Sequence, residues 1–165
     1  ARSMCNVPLS FEEVLSPSVP ARPLSRKKML QKSMDLRLPE ESFPAARAMR
    51  RTVHAHIGPT NSGKTHAALE ALRGAKSGVY CGPLRLLAWE VHERLCSSGV
   101  PCELRTGQES NIPEGGAAHT SCTIEMVSNS RNVEVGVVDE IQMLSHPERG
   151  WAWSRALLGL PAKSL

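Results

Sequence analysis

The chain has 165 residues, is 41% hydrophobic and 22% charged, and carries a formal net charge of +4. That length can bury one sizeable core, roughly 70% of the unfolded surface, and no apolar run approaches the ~20 residues of a membrane-spanning helix. Cys5, Cys81, Cys96, Cys102 and Cys122 contain no C-x-x-C pair, so neither a zinc site nor a disulfide framework is supported, and reduced thiols suit a cytosolic, nuclear or organellar-matrix setting.

The surplus charge sits at the front. Residues 1–50 hold nine Lys/Arg against five Asp/Glu, six of the twelve prolines and no glycine, while residues 51–165 hold eleven of each charge. This composition predicts a basic, proline-containing and loosely ordered segment over 1–45, with the packed domain over 46–165. Arg26-Lys27-Lys28 has the charge to touch nucleic acid, although a solvated linker is the simpler reading. Arg2, Arg22 and Arg26 among serines look like the end of an organellar transit peptide; Glu12 and Glu13 speak against an intact one. A start at Ala1 is expected of a processed or excised piece.

Val53, Ala55 and Ile57 recur at strand spacing and predict a strand. His54 and His56 share its opposite face, where sheet packing explains them better than metal ligation. The strand runs into Gly58-Pro59-Thr60-Asn61-Ser62-Gly63-Lys64-Thr65, which satisfies G-x-x-x-x-G-K-[ST]. Gly58 and Gly63 let main-chain N–H groups approach phosphate oxygens, and the helix opening at Lys64 adds its dipole. The Lys64 ammonium is expected to meet the β- and γ-phosphates of a nucleoside triphosphate, and the Thr65 hydroxyl to ligate Mg2+.

Ala67, Leu69 and Leu72 continue this helix, with Gly74 as its stop signal. Next come a strand over 77–81 and a helix over about 84–97, whose inner face is expected to be Leu84, Leu87, Ala88, Val91 and Leu95. A strand over 102–106, a Gly/Pro-punctuated loop over 107–118, and a strand over 119–123 follow. After a polar loop over 128–132, the run Val133 to Val138 reads as a strand buried on both faces. It ends in Asp139-Glu140, placed to hold Mg2+ through Asp139 and to activate a water through Glu140. Glu140 is also a candidate metal ligand. A last helix spans 151–158. Trp89, Trp151 and Trp153 read as packing residues rather than base-stacking ones. The alternation of strands and helices predicts an α/β, RecA-like P-loop NTPase domain with a mostly parallel sheet, truncated at its C-terminal end.

Further motifs choose among nucleotide triphosphatases. Phe43-Pro44-x-x-Arg47-Ala48-Met49, the 58–65 loop, Gly82-Pro83-Leu84-Arg85-Leu86-Leu87-Ala88, Thr106-Gly107-Gln108-Glu109 and Ser121-Cys122-Thr123-Ile124-Glu125-Met126 stand in order. They are followed by Asp139-Glu140-Ile141-Gln142-Met143 and by Arg149-Gly150-Trp151-Ala152-Trp153 with Arg155-Ala156-Leu157-Leu158-Gly159-Leu160. Over 43–160 this pattern resembles the ATP-dependent RNA helicase of the mitochondrial RNA degradosome, a superfamily 2, DExH-like family. The resemblance implies ATP and Mg2+ as cofactors, RNA as partner together with an exoribonuclease, and the mitochondrial matrix as location, with nucleus or another organelle as alternatives. It implies that Gln142 couples the γ-phosphate to the rest of the motor, and that Arg85, Thr106, Gly107 and Thr123 lie on the RNA path. It also implies a second RecA-like domain, absent from this chain, so that the chain alone is expected to turn over ATP poorly.

Two rivals stand beside this reading. A thymidine-kinase-like enzyme shares the loop and an Asp-Glu-x-Gln motif, but has Cys pairs that this chain lacks. A nucleotide- or RNA-binding scaffold without turnover is the other.

Overall fold

A computed structural model describes residues 42–59 and 62–165. The expectations for residues 1–41, and for Thr60 and Asn61, lie outside the described residues.

A six-stranded sheet forms the frame. Its strands are β1 (Gly78–Gly82), β2 (Cys102–Arg105), β3 (Ser110–Asn111), β4 (His119–Thr123), β5 (Val133–Val138) and β6 (Ala162–Ser164). They lie in the order β3-β2-β4-β1-β5-β6, and only the β2–β3 pair is antiparallel. Among the described residues four helices accompany them: α1 (Pro44–Ala48), α2 (Lys64–Gly74), α3 (Arg85–Ser97) and α4 (Gly150–Gly159). Two 3-10 turns, Ile124–Met126 and Ile141–Ser145, follow β4 and β5.

Strand alternation divides the core in two. Tyr80 and Cys102 face α2 and α3, where they pack with Leu69, Leu72, Val91 and Leu95. Val79, Cys81, Cys122 and Val133 face the other way, against Ala152, Trp153 and Ala156 of α4 and the following Leu160. Neighbouring β-residues point to opposite faces, so covering both faces with helices is what makes a mostly parallel sheet viable here. Trp153 is fully buried; removing such a side chain costs about 3–5 kcal/mol.

Most predicted elements form within a residue or two of their expected ends, and the exceptions have identifiable causes. The strand expected around Val53 to Ile57 does not develop. Thr52 makes one parallel bridge to Ser164, and His54 N–H donates to the Leu165 carbonyl at 2.7 Å. Among the described residues no other backbone pairs with 53–57, and Val53 and Ile57 are exposed, as are His54 and His56. Sheet packing therefore does not explain the two histidines.

Leu84 caps α3 from an extended conformation and is exposed, while His92 joins Ala88, Val91 and Leu95 on the buried face. In β5 only Val133 and Gly136 are fully buried, so the strand is half-covered rather than enclosed. The loop expected over 107–118 contains the two-residue β3, and β6 is a strand that periodicity did not reveal. At the front, Phe43 and Ala46 are buried, and a side-chain carbon added at Gly159 would strike the Phe43 ring, so packed structure begins before residue 46. Trp89 and Trp151 are half-exposed, contrary to the expectation that all three tryptophans pack.

Candidate functional site

Parallel strands end on the same edge of a sheet, and in open α/β folds ligands gather at the carboxyl ends. Here that edge collects the loop at 58–65, Asp139-Glu140 and the loops that follow β1, β2 and β4, while Phe43 packs against Gly159 at the far end of α4. The 52–54 segment runs parallel to β6, and β6 parallel to β5. The phosphate-type loop and Asp139-Glu140 thus leave the same edge two strand positions apart, roughly 10 Å at the usual spacing.

The loop is held largely by its own side chains. Ser62 Oγ donates to the Pro59 carbonyl at 2.9 Å. Lys64 Nζ donates to the Gly58 carbonyl at 2.7 Å, to the Pro59 carbonyl, and to Ser62 Oγ at 3.3 Å. Gly63 has φ +80, a left-handed conformation that suits a residue without Cβ, and it precedes the first residue of α2. The first N–H groups of α2 have no intrahelical acceptor and point toward this turn. Lys64 opens that helix and Thr65 follows it on the exposed surface. The charge and N–H groups of a polyphosphate cradle are therefore in one place.

Asp139 is fastened on every polar atom. Its N–H donates to the Cys81 carbonyl at 3.0 Å, and its carbonyl accepts the Trp153 indole N–H at 2.9 Å. Oδ1 accepts the Glu140 N–H at 2.9 Å, and Oδ2 accepts the Tyr80 hydroxyl at 2.8 Å. Burial, and next the Asp139 carboxylate, push the Tyr80 phenol far above its ordinary value, so Tyr80 remains a donor. Glu140 is exposed and adopts φ 53, ψ 50, the only positive φ among described non-glycine residues. Such strain persists where the surroundings impose it, often at functional sites. Gln142 Nε2 donates to Glu140 Oε2, so the two expected catalytic side chains are partners.

These groups suit a hard cation. Each Asp139 oxygen accepts one hydrogen bond and keeps a lone pair, and Thr65 and Glu140 add exposed oxygens. Magnesium characteristically takes one or two protein oxygens and completes its shell with phosphate and water. No cluster of three or more His, Cys, Asp or Glu exists among the described residues that would make an all-protein cage.

The other half of the edge carries the residues expected to meet a strand of nucleic acid. Gly82 and Thr123 are cross-strand partners at the ends of β1 and β4. Arg85 opens α3 just beyond β1, exposed and without a hydrogen bond or ion pair among the described residues. Thr106 is buried: its Oγ1 accepts the Glu109 N–H at 3.0 Å and donates to the Glu109 carbonyl at 3.2 Å. Its side chain thus builds the turn, and the exposed group it presents is Gly107. Thr123 is also buried, as the residue preceding the Ile124–Met126 turn. Of the four, Arg85 and Gly107 are exposed, while the side chains of Thr106 and Thr123 are turned inward.

Sequence reading missed the supports beneath these residues. Tyr80, the chain's single tyrosine, stands in an otherwise small and apolar strand and was the available signal. Arg149 and Trp153 had no signal outside their block, because their partners lie far away in sequence. A cavity of about 250 Å3 lined by Glu103, Arg105, Thr120, Met126 and Arg131 includes none of the expected site residues.

Comparison with known proteins agrees with this arrangement. Residues 39–165 match the family model described as the DEXQ-box helicase domain of Suv3. The chain is 54% identical over 145 residues to the human protein named ATP-dependent RNA helicase SUPV3L1, mitochondrial, covering 86% of this chain and 18% of that one. The rice protein named ATP-dependent RNA helicase SUV3L, mitochondrial, is 53% identical over 143 residues, 86% of this chain and 19% of its own length. The Arabidopsis thaliana protein named DExH-box ATP-dependent RNA helicase DExH16, mitochondrial, is 51% identical over 131 residues, 79% and 23%. The chain thus spans about a fifth of the length of the curated relatives it matches. Nothing in these matches favours a thymidine kinase.

Proposed function

Because this chain belongs to the Suv3 family of DEXQ-box helicase domains, we propose that it is the nucleotide-binding half of an ATP-dependent RNA helicase motor. The observation that carries the reading is the shared carboxyl edge, with the Gly58–Thr65 loop and Asp139-Glu140 on one half and the loops after β1, β4 and β2 on the other. The relatives named above are called mitochondrial ATP-dependent RNA helicases, which supports ATP, RNA and the mitochondrion for this chain as well. The matrix and an exoribonuclease partner are the finer form of the proposal.

In this mechanism Lys64 leaves its loop carbonyls to meet the β- and γ-phosphates, a stronger charge-assisted partnership. Thr65 and Asp139 would hold Mg2+, whose chemistry is to bridge the phosphates and neutralise charge developing on them. Glu140 orients and deprotonates the attacking water, and Gln142, already its partner, reports the state of that site to a neighbouring domain. Arg85 and the Gly107 N–H contact the RNA backbone, so recognition is tolerant of sequence.

The test is a paired binding measurement on the purified chain. A fluorescent ATP analogue should bind in a Mg2+-dependent manner, and single-stranded RNA should bind with an affinity that falls as salt rises. Nucleotide binding indifferent to Mg2+, or RNA binding indifferent to salt, would contradict the assignment. On the same reading, strand displacement and robust ATPase belong to a protein with both motor halves, and this chain alone should show neither. Robust displacement of a tailed RNA duplex by the 165-residue chain would overturn that division of labour.

A further inference from the structure

The two loops that leave β1 and β4 share a strut that their own sequences do not supply. Arg149, the residue before α4, reaches both. Its Nη2 donates to the Pro83 carbonyl at 2.8 Å, in the loop that leads into Arg85. Nε and Nη2 also donate to Glu125 Oε1 at 3.0 and 2.7 Å, in the turn that follows Thr123. The guanidinium lies over the Trp153 ring at 5.4 Å, and the Trp153 indole N–H holds the Asp139 carbonyl. One planar cation therefore touches the loop after β1, the loop after β4, and the indole that fastens the metal-binding strand end.

Local sequence places Arg149 with little freedom. Gly150 N–H donates to the His146 carbonyl at 2.9 Å, and a side-chain carbon at Gly150 would run into the Leu144 carbonyl. The chain can turn from the 141–145 turn into α4 this tightly only with glycine there. Arg149 N–H is held in turn by His146 Nδ1 at 3.2 Å. The backbone aims the side chain before it meets its partners, which reduces the rotamer freedom that an exposed ion pair would lose. A fork of N–H donors is what permits simultaneous service to a carbonyl and a carboxylate, and lysine cannot reproduce it.

We propose that Arg149 is a positioning residue that clamps the Pro83 and Glu125 loops into one RNA-binding surface and ties that surface, through Trp153, to Asp139. The inference rests on the RNA reading above for its consequence, but the clamp itself does not. Glu125 has a diagnostic role within it. A carboxylate merely lying beside the RNA path repels phosphate, and its neutralisation strengthens binding. A carboxylate that holds Arg149 weakens binding when it is neutralised.

The experiment uses the 165-residue chain with Arg149→Ala, Arg149→Lys and Glu125→Gln, read by amide hydrogen exchange and by binding of single-stranded RNA at fixed salt. Exchange should accelerate together over 83–86 and 124–127 in all three variants, with α2 unchanged. RNA affinity should fall roughly tenfold in Arg149→Ala, the lower end of the scale of a lost charge-assisted contact. Arg149→Lys should not rescue it, and Glu125→Gln should bind RNA more weakly than the parent. Unchanged exchange in both loops, full rescue by lysine, or tighter RNA binding by Glu125→Gln would each overturn the clamp. If exchange accelerates as expected while the parent chain binds no RNA, the clamp stands and the RNA reading falls. A variant that fails to fold shows itself by exchange across the whole chain, and Glu125→Gln, nearly isosteric, then decides whether the clamp exists.

Discussion

The loops after β1 and β4 are braced by Arg149, the residue before α4, whereas the loop after residue 57 is held mainly by its own Ser62 and Lys64. The first pair leaves strands with complete parallel ladders and sits on buried Val79, Cys81 and Cys122. The second follows a segment with a single bridge to Ser164 and with Ile57 92% exposed. Both grip phosphate in the proposed function, yet they are built by opposite means. A surface that must accept any RNA sequence is served by rigid backbone, because the spacing of backbone phosphates does not vary with the bases. A loop that wraps a nucleotide can be organised by the ligand itself, through charge and main-chain N–H groups.

The contrast can be broken most severely at Glu140. In the complete motor, Glu140→Gln should lower ATP turnover by about a hundredfold or more, the scale of losing a general base, with nucleotide and RNA affinities retained. Wild-type turnover in this variant would move the base elsewhere. Lys64→Ala comes next. It should weaken ATP binding by roughly 1.5–3 kcal/mol, as loss of a hydrogen bond to a charged group does, and leave the melting midpoint and RNA binding alone, because Lys64 touches only its own loop. Calorimetric titration decides this, and unchanged affinity would remove the loop from the nucleotide site.

Tyr80→Phe tests whether bracing on the strand side reaches the metal side. Losing the hydroxyl that donates to Asp139 Oδ2 should cost about 1 kcal/mol of stability and reduce Mg2+-dependent nucleotide binding severalfold. Urea melts paired with Mg2+ titrations separate the two, and a stability loss without a Mg2+ effect would confine Tyr80 to the core. The smallest effect concerns the buried thiols beneath the RNA half. Burial pushes the Cys102 thiol from 9.0 up to about 12, while Cys81 is raised by its hydrogen bond with Cys122 and by burial. Above pH 9 the unfolded chain releases protons that the folded chain keeps, so stability present below pH 9 is lost as pH rises toward 12. For Cys102 alone the loss between pH 8 and 9.5 is on the order of 1 kcal/mol, measurable by urea unfolding at the two pH values. A flat profile would mean that Cys102 ionises freely in the folded chain. At pH 8 a maleimide should label exposed Cys96 well before Cys81, Cys102 or Cys122.

Sequence by itself supplied the residues of the proposed chemistry and most of the elements. Glycines at fixed spacing with Lys64 and Thr65, and a strand running into Asp139-Glu140, are what the proposed phosphate and metal site rests on, because backbone freedom, charge and hydroxyl are properties of the residues themselves. Apolar periodicity likewise located β1, β2, β4, β5, α2, α3 and α4, since one face of each had to be buried. What only the tertiary structure decided depends on partners far away in the chain. Val53 to Ile57 has the pattern of a strand, but a strand needs a neighbour's backbone, and among the described residues only Thr52 and His54 pair with the β6 segment. Thr106 and Thr123 read as ligand contacts through side chains or adjacent N–H groups, and their burial turns both side chains inward, Thr106 to build its own turn. The bracing of Asp139 by Tyr80 and Trp153, and of Pro83 and Glu125 by Arg149, joins residues 14 to 66 positions apart. Such pairs leave no local period in the sequence, because the sheet order that brings them together is set by packing of the whole core.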